Sequence, residues 1–217
     1  MKLIDNPAEW TPTEPNELIG PARNVARALV AKATRIANGG WKILLTGPPG
    51  DGKTTINIIV ANTLAATPVE IEQISGKDIS ADRVRDWIGS HHRPSIFGGR
   101  SVIVAEELDK ATPDGVVLLL LYLDKLRDWP HRAFLASSNQ DVSKLDPRLQ
   151  SRCQFFPVEP PTAVEIEGFL KSRCGVTGQH AKRIATNCKG DVRAALNDAK
   201  SWLDIARASG PDLRNAA

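Results

Sequence analysis

Cysteine is scarce in this chain, and the few present exclude two common devices. Three cysteines in 217 residues, Cys153, Cys174 and Cys188, make an odd number with no C-x-x-C pair. Neither a disulfide framework nor a zinc site is therefore indicated, and a reducing cytoplasm (nucleoid or nucleus, according to source) is expected. Long apolar runs are missing too. The longest, Val116 to Leu123, has eight residues and suits a buried helix rather than a bilayer span. The opening residues, Met1-Lys2-Leu3-Ile4-Asp5-Asn6-Pro7, lack the apolar core of a secretory signal. No membrane association is expected. Aromatic residues make up 5% of the chain, and no aromatic-rich platform for stacking bases is evident. There is no internal repeat and no low-complexity tract.

A strong charge bias is also lacking. The net charge is +3; residues 1–159 carry 19 basic and 19 acidic side chains, and residues 160–217 carry 9 and 6, which supplies the whole excess. Such a surplus permits contact with nucleic acid without demonstrating it. Otherwise composition is ordinary for a globular protein, with 41% hydrophobic and 24% charged residues, enough to bury one large core or two small ones.

Short apolar runs alternate with helical patterns over the first three quarters of the chain. Following a polar, proline-rich arm of about 20 residues, the spacing of Val25, Ala26, Leu29, Val30 and Ala33 predicts a helix from Ala22 to Ile36, stopped by Asn38-Gly39-Gly40. Strands are expected at Ile43–Thr46, Val69–Ser75, Ser101–Ala105 and Ala133–Ser137, with helices at 53–66, 80–91 and 113–127. Strands separated by helices indicate a parallel sheet covered on both faces. Beyond Phe155-Phe156-Pro157 the pattern changes. Pro160-Pro161-Thr162 punctuates the chain, Thr162 is placed to cap a helix from Ala163, and helices follow over about 163–173, 178–187 and 191–207. Two units are expected: an α/β domain over 1–159 and an all-helical one over 160–217.

The chemistry begins at Gly47-Pro48-Pro49-Gly50-Asp51-Gly52-Lys53-Thr54, which fits G-x-x-x-x-G-K-[ST] at every fixed position. It lies between a predicted strand and a predicted helix, the context of a phosphate cradle. Its glycines let backbone N–H groups and a helix N-terminus point at an anion. Pro48, Gly50, Asp51, Gly52, Lys53, Thr54 and Thr55 are the candidate nucleotide contacts; Lys53 is placed to reach the β- and γ-phosphates and the Thr54 hydroxyl to ligate Mg²⁺. Hydrolysis also needs carboxylates at the end of a neighbouring strand, one for the metal and one to polarise water. Ser101-Val102-Ile103-Val104-Ala105-Glu106-Glu107-Leu108-Asp109 supplies them, with Glu106 and Glu107 emerging at the strand's end; an acidic helix N-terminus is the alternative. Asn139, after Ala133-Phe134-Leu135-Ala136-Ser137-Ser138, can orient water or touch the γ-phosphate; a turn-forming asparagine is the alternative.

With these motifs in order, the sequence resembles the AAA+ ATPases, and among them the clamp-loader ATPases: replication factor C small subunits and bacterial clamp-loader subunits. Pro12 through Ile19-Gly20 resembles the N-terminal box that wraps adenine, and Glu106-Glu107-Leu108-Asp109 resembles the family's Asp-Glu-Ala-Asp. Ser137-Ser138-Asn139 is similar to sensor 1, Ser151-Arg152-Cys153 to the Ser-Arg-Cys motif, and Gly190-Asp191-Val192-Arg193 with Asn197 to sensor 2. The resemblance implies a P-loop NTPase sheet followed by a helical lid, with ATP and Mg²⁺ as cofactors. It makes Glu107 the catalytic carboxylate with Glu106 beside Mg²⁺, Arg152 an arginine finger for a neighbouring subunit, worth roughly 10³–10⁵ in rate, and Arg193 a γ-phosphate contact within its own subunit. Implied partners are other AAA+ subunits, a sliding clamp and primer–template DNA.

Departures accompany the match. Glu106 stands where the family has Asp, which pushes the carboxylate one methylene outward, and Thr11 replaces an Arg common before the box proline. The sequence ends at Ala217, where clamp-loader subunits continue into a third helical domain that forms a collar; a piece of such a chain or a shorter relative is expected. The zinc-binding insertion of the bacterial ATPase subunit is absent, favouring the replication factor C type. Another AAA+ motor or helicase loader, or a non-hydrolysing subunit that donates Arg152, stands as the alternative. Among minor features, His91-His92 is expected to be solvent-exposed rather than metal-binding, Trp87 and Trp129 to lie in a core or interface, and Lys77, Arg83 and Arg85 are candidates for DNA backbone contact.

Overall fold

Five parallel strands form one sheet, and the apolar runs of its three central strands are buried on both faces at once. The computed structural model describes residues 3–35, 40–94 and 97–208. Strands β1 (Trp41–Thr46), β2 (Ile71–Ser75), β3 (Ser101–Glu106), β4 (Arg132–Ser138) and β5 (Gln154–Pro157) are all parallel, in the order β2-β3-β4-β1-β5. All seven residues of the central β4 are buried. β5 is the strand that sequence reading did not foresee. It is four residues long, flanks the sheet on one side only, and pairs Leu44 with Phe155 in register.

Helices α1 (Gly20–Ala33), α2 (Lys53–Leu64), α3 (Ala81–Ser90) and α4 (Pro113–Lys125) cover the sheet. Alternate strand residues select the face. Ile43, Leu45, Val102, Val104 and Leu135 pack with Ile56, Ile59 and Val60 of α2 and Leu29 of α1. Their neighbours Leu44, Ile103, Ala105, Phe134 and Ala136 pack with Val84 and Trp87 of α3 and Leu119 and Leu123 of α4. Each fully buried Leu, Ile or Phe stabilises the fold by roughly 1.5–3 kcal/mol. Ser80 and Thr112 cap α3 and α4 by accepting N–H bonds from Arg83 and Gly115. α1 ends at Ala33, short of the predicted Ile36; Ile36, Asn38 and Gly39 lie outside the described residues.

After the short α5 (Pro147–Gln150) and β5, the chain is helical: α6 (Ala163–Phe169), running on through a π turn at Leu170–Cys174, then α7 (Gly178–Asn187) and α8 (Val192–Ala208). Thr162 and Glu165 form a reciprocal capping box at the start of α6, as Thr162 leads one to expect. These helices bury their own cluster, around Ile166, Phe169, Leu170, Ile184, Ala195 and Ala199. The N-terminal arm joins it: Ile4 and Ile19 are buried there, and the Ile4 N–H donates to the Arg173 carbonyl at 2.7 Å. The arm thus packs with the helical unit, although composition groups it with the α/β domain. Among the described residues no helix is long and apolar enough to cross a membrane.

Candidate functional site

The carboxyl ends of β1, β3 and β4 open into a cavity of about 330 Å³, the place where open parallel sheets hold ligands. Its floor is the loop between β1 and α2. Its walls are Glu106 and Glu107 after β3, Ser137 and Asn139 from β4, and Val192, Arg193 and Leu196 of α8; the arm closes it with Trp10, Thr11, Pro12, Leu18 and Ile19.

Close packing shapes the loop. Gly50 has φ +78°, and a Cβ there would lie 2.0 Å from Asp191 Oδ1. Asp191 occupies that space because it caps α8, accepting from the Ala194 N–H at 3.0 Å, while the Val192 N–H donates to the Gly50 carbonyl at 3.1 Å. α8 is therefore hydrogen-bonded to the backbone of the loop between β1 and α2. Arg193, in its first turn, is exposed and lines the cavity, with no hydrogen bond or ion pair among the described residues.

Lys53 is 5% exposed, and its ammonium donates to the Gly47 carbonyl at 2.8 Å, the Pro48 carbonyl at 2.6 Å and Asp51 Oδ1 at 2.9 Å. Asp51 is 2% exposed; burial pushes its carboxyl up, while Lys53 pulls it back. Thr54 and Thr55, in the first turn of α2, line the cavity.

The acidic wall is held by a network. Glu107 has φ 52°, left-handed for a side-chain-bearing residue. Asn139 Nδ2 donates to Glu107 Oε1 at 3.3 Å, and Lys110 Nζ donates to Glu107 Oε2 at 2.7 Å. Asp109 Oδ1 accepts from Ser138 Oγ at 2.9 Å and from the Asn139 N–H at 3.1 Å, fixing the end of β4. Sequence reading quoted Asp109 within the acidic run without giving it this task; its place three residues after Glu106 is the available signal.

Trp10 was also missed. Its ring lies 5.3 Å from that of Phe169, and the Arg173 guanidinium sits 5.5 Å from its centroid, which ties the arm to the helical unit beside the cavity. No pattern in the arm marks it.

Of the residues nominated from sequence, Ile19, Gly50, Asp51, Gly52, Lys53, Thr54, Thr55, Glu106, Glu107, Asn139 and Arg193 line this one cavity. Pro48 contributes a carbonyl to Lys53 from behind the lining, and Gly20 opens α1 against Pro161 and Glu165 of the helical unit. Arg152 lies elsewhere: its Nε and Nη2 grip both carboxylate oxygens of Asp124 on α4 at 2.9 and 3.0 Å. Arg83 pairs with Glu72 at 2.7 Å and Arg85 with Asp82, while Lys77 is exposed. Trp87 and Trp129 belong to the core beside α4. His91 departs from the exposed position expected of it. Its Nδ1 shares a hydrogen bond with the Tyr122 hydroxyl at 2.9 Å, and burial followed by the nearby Arg132 pushes its pKa down to about 4.

The cavity suits a magnesium–nucleoside triphosphate. Thr54 and Glu106 line it with hard oxygen donors, and the Lys53 ammonium stands in the loop that forms its floor. Among the described residues no group of three or more His, Cys, Asp or Glu could hold a metal by itself. Mg²⁺ takes one or two protein ligands and completes its shell with water and phosphate, and Thr54 and Glu106 are the hard donors that would hold it.

A family model described as the ATPase family associated with various cellular activities (AAA) matches residues 43–158. The replication factor C large subunit of Archaeoglobus fulgidus is 27% identical over 195 residues, covering 81% of this chain and 40% of that protein. The replication-associated recombination protein A of Haemophilus influenzae is 22% identical over 214 residues, covering 92% of this chain and 46% of that protein. The chain thus spans less than half the length of these curated relatives. The fold matches that of the Thermotoga maritima RuvB Holliday junction branch migration motor with a TM-score of 0.71 at 23% identity, over 93% of this chain and 67% of that one.

Proposed function

The chain belongs to the AAA family of ATPases, and from that premise we propose that it is the ATP-hydrolysing part of a subunit that loads a sliding clamp on primer–template DNA. The observation that carries this reading is the division of arginines: Arg193 lines its own cavity, whereas Arg152 is held outside it on Asp124. A cavity with one arginine of its own and a second on the outer surface supports a site completed by a neighbour. The likeness to replication factor C supports a clamp as the object of that assembly.

In this reading Lys53 and the N–H groups of residues 50–54 hold the β- and γ-phosphates, and Thr54 and Glu106 hold Mg²⁺, which neutralises phosphate charge when bound. Glu107 takes a proton from the attacking water, and Asn139 fixes the Glu107 carboxylate by donating to Oε1. Trp10 and Ile19 form the apolar end of the cavity, where the adenine lies. Arg193, on the helix bonded to Gly50, couples the lid to the γ-phosphate.

ATP turnover measured with partner subunits present is expected to rise on addition of clamp and primed DNA. Turnover indifferent to both would overturn clamp loading. A second reading, a recombination or branch-migration motor, is favoured by the Haemophilus relative's 92% coverage of this chain. A closed six-membered ring under electron microscopy, with directional unwinding, would select it.

A further inference from the structure

The phosphate loop carries a feature that nucleotide binding does not call for. All three ammonium protons of Lys53 have acceptors within the loop, and one of those acceptors is a carboxylate, Asp51, at 2.9 Å. Position 51 is unconstrained in the phosphate-loop pattern, so nothing in the motif requires an acid there. Asp51 is also 2% exposed, and its second oxygen, Oδ2, is buried with no hydrogen-bond partner. That oxygen lies over Gly47, where a Cβ would stand 2.3 Å from it. A buried carboxylate with one orphaned oxygen is sustained chiefly by the ammonium beside it.

We propose that Asp51 is a built-in competitor of nucleotide: its carboxylate holds Lys53 in the empty site and must release it before phosphate can be bound. This rests on the reading of Lys53 as the phosphate-binding cation. Two charges oppose at the cradle before any ligand arrives, so the Lys53 ammonium is neutralised locally. When Lys53 turns to the phosphates, Asp51 keeps only the Lys53 backbone N–H, which donates to Oδ1 at 3.2 Å, and has no counter-charge beside an anion in a buried loop, so both the broken pair and the new repulsion oppose binding. The sensor arginine is not neutralised in this way, since Arg193 is exposed and unpaired among the described residues. The other acids around the cavity, Glu106, Glu107 and Asp191, stand on its walls and on α8, with no hydrogen bond to the Lys53 ammonium among the described residues. Asp51 therefore sets nucleotide affinity without touching the reacting atoms.

The test is calorimetric titration of the whole chain with ATP and Mg²⁺, using wild type, Asp51→Asn, Asp51→Thr and Lys53→Ala, with melting temperatures taken with and without ATP. Both Asp51 variants are expected to bind at least tenfold more tightly than wild type. Their empty forms should melt lower, because Lys53 loses its counter-charge, and their rise in melting temperature on adding ATP should be larger than that of wild type. Two variants of different shape guard against one that misfolds, and circular dichroism identifies it. If Lys53→Ala abolishes binding while both folded Asp51 variants bind as wild type does or more weakly, Asp51 merely props the loop and the proposal is wrong. If wild type and Lys53→Ala bind equally, the reading of Lys53 fails first and takes the proposal with it.

Discussion

Glu107 sits in left-handed backbone, which costs a side-chain-bearing residue about 1–2 kcal/mol. Asn139 and Lys110 each hold one of its carboxylate oxygens, so the strained residue is aimed and not merely tolerated. Backbone strain with two restraints on the same carboxylate is what a group that must meet a water at a fixed angle requires. Glu107→Gln keeps the shape and removes the proton acceptor. Its ATP affinity should stay within about threefold of wild type while turnover falls about 100-fold or more. An affinity loss as large as the turnover loss would show that Glu107 shapes the cavity instead. Lys53, Thr54, Glu107 and Asn139 were legible in the sequence because each stands at a set distance from the end of an apolar strand. Asp51 was legible as a contact but not as a counter-ion, since only the folded loop turns its carboxylate onto Lys53. Trp10 was not legible at all. Its partners, Phe169 and Arg173, come from the far end of the chain, and no local pattern encodes them.

At the scale of elements, the contact between α3 and α4 shows how packing reassigns a residue. His91, the residue after α3, follows a helical run and precedes Pro94, which reads as a loop in water. Tyr122 of α4 accommodates it through a hydrogen bond between its hydroxyl and Nδ1, and Trp87 stacks at 6.3 Å between ring centroids. Charges facing it are Arg132, Arg83 and His131, all unfavourable to a second cation. The neutral imidazole is thus favoured by the fold, and its pKa falls from 6.5 to about 4. The unfolded chain takes up this proton near pH 6.5 and the folded chain does not, so stability is complete above that pH and is lost as pH falls toward 4. His91→Gln retains a hydrogen-bonding side chain without the titration. Its urea midpoint should drop less than that of wild type between pH 7 and pH 5; equal drops would remove His91 as the cause. The edge strand β5 was lost to sequence reading for a related reason. Four residues ending in Pro157 carry too little pattern, and only register with Leu44 and its neighbours makes Phe155 and Phe156 a strand.

At the scale of the whole molecule, the placement of Arg152 sets what a single copy can do. Its guanidinium is bidentate on Asp124, yet the two side chains are 29% and 54% exposed, and a surface pair of this kind is worth at most about 1 kcal/mol. Such a contact orients Arg152 and is weak enough to be given up, so under the proposed function a phosphate presented by another subunit would outcompete one exposed carboxylate. Arg152→Ala should therefore leave ATP affinity of the isolated chain within about twofold and reduce turnover only in the assembled complex, by roughly 10³-fold or more. Complementation makes the argument decisive. Lys53→Ala destroys a subunit's own cavity but keeps its finger, whereas Arg152→Ala does the reverse. Each variant assembled alone should be inactive, and a mixture should recover turnover wherever an Arg152→Ala cavity faces a Lys53→Ala neighbour. A mixture as inactive as its components would place Arg152 in service of its own subunit, or of none.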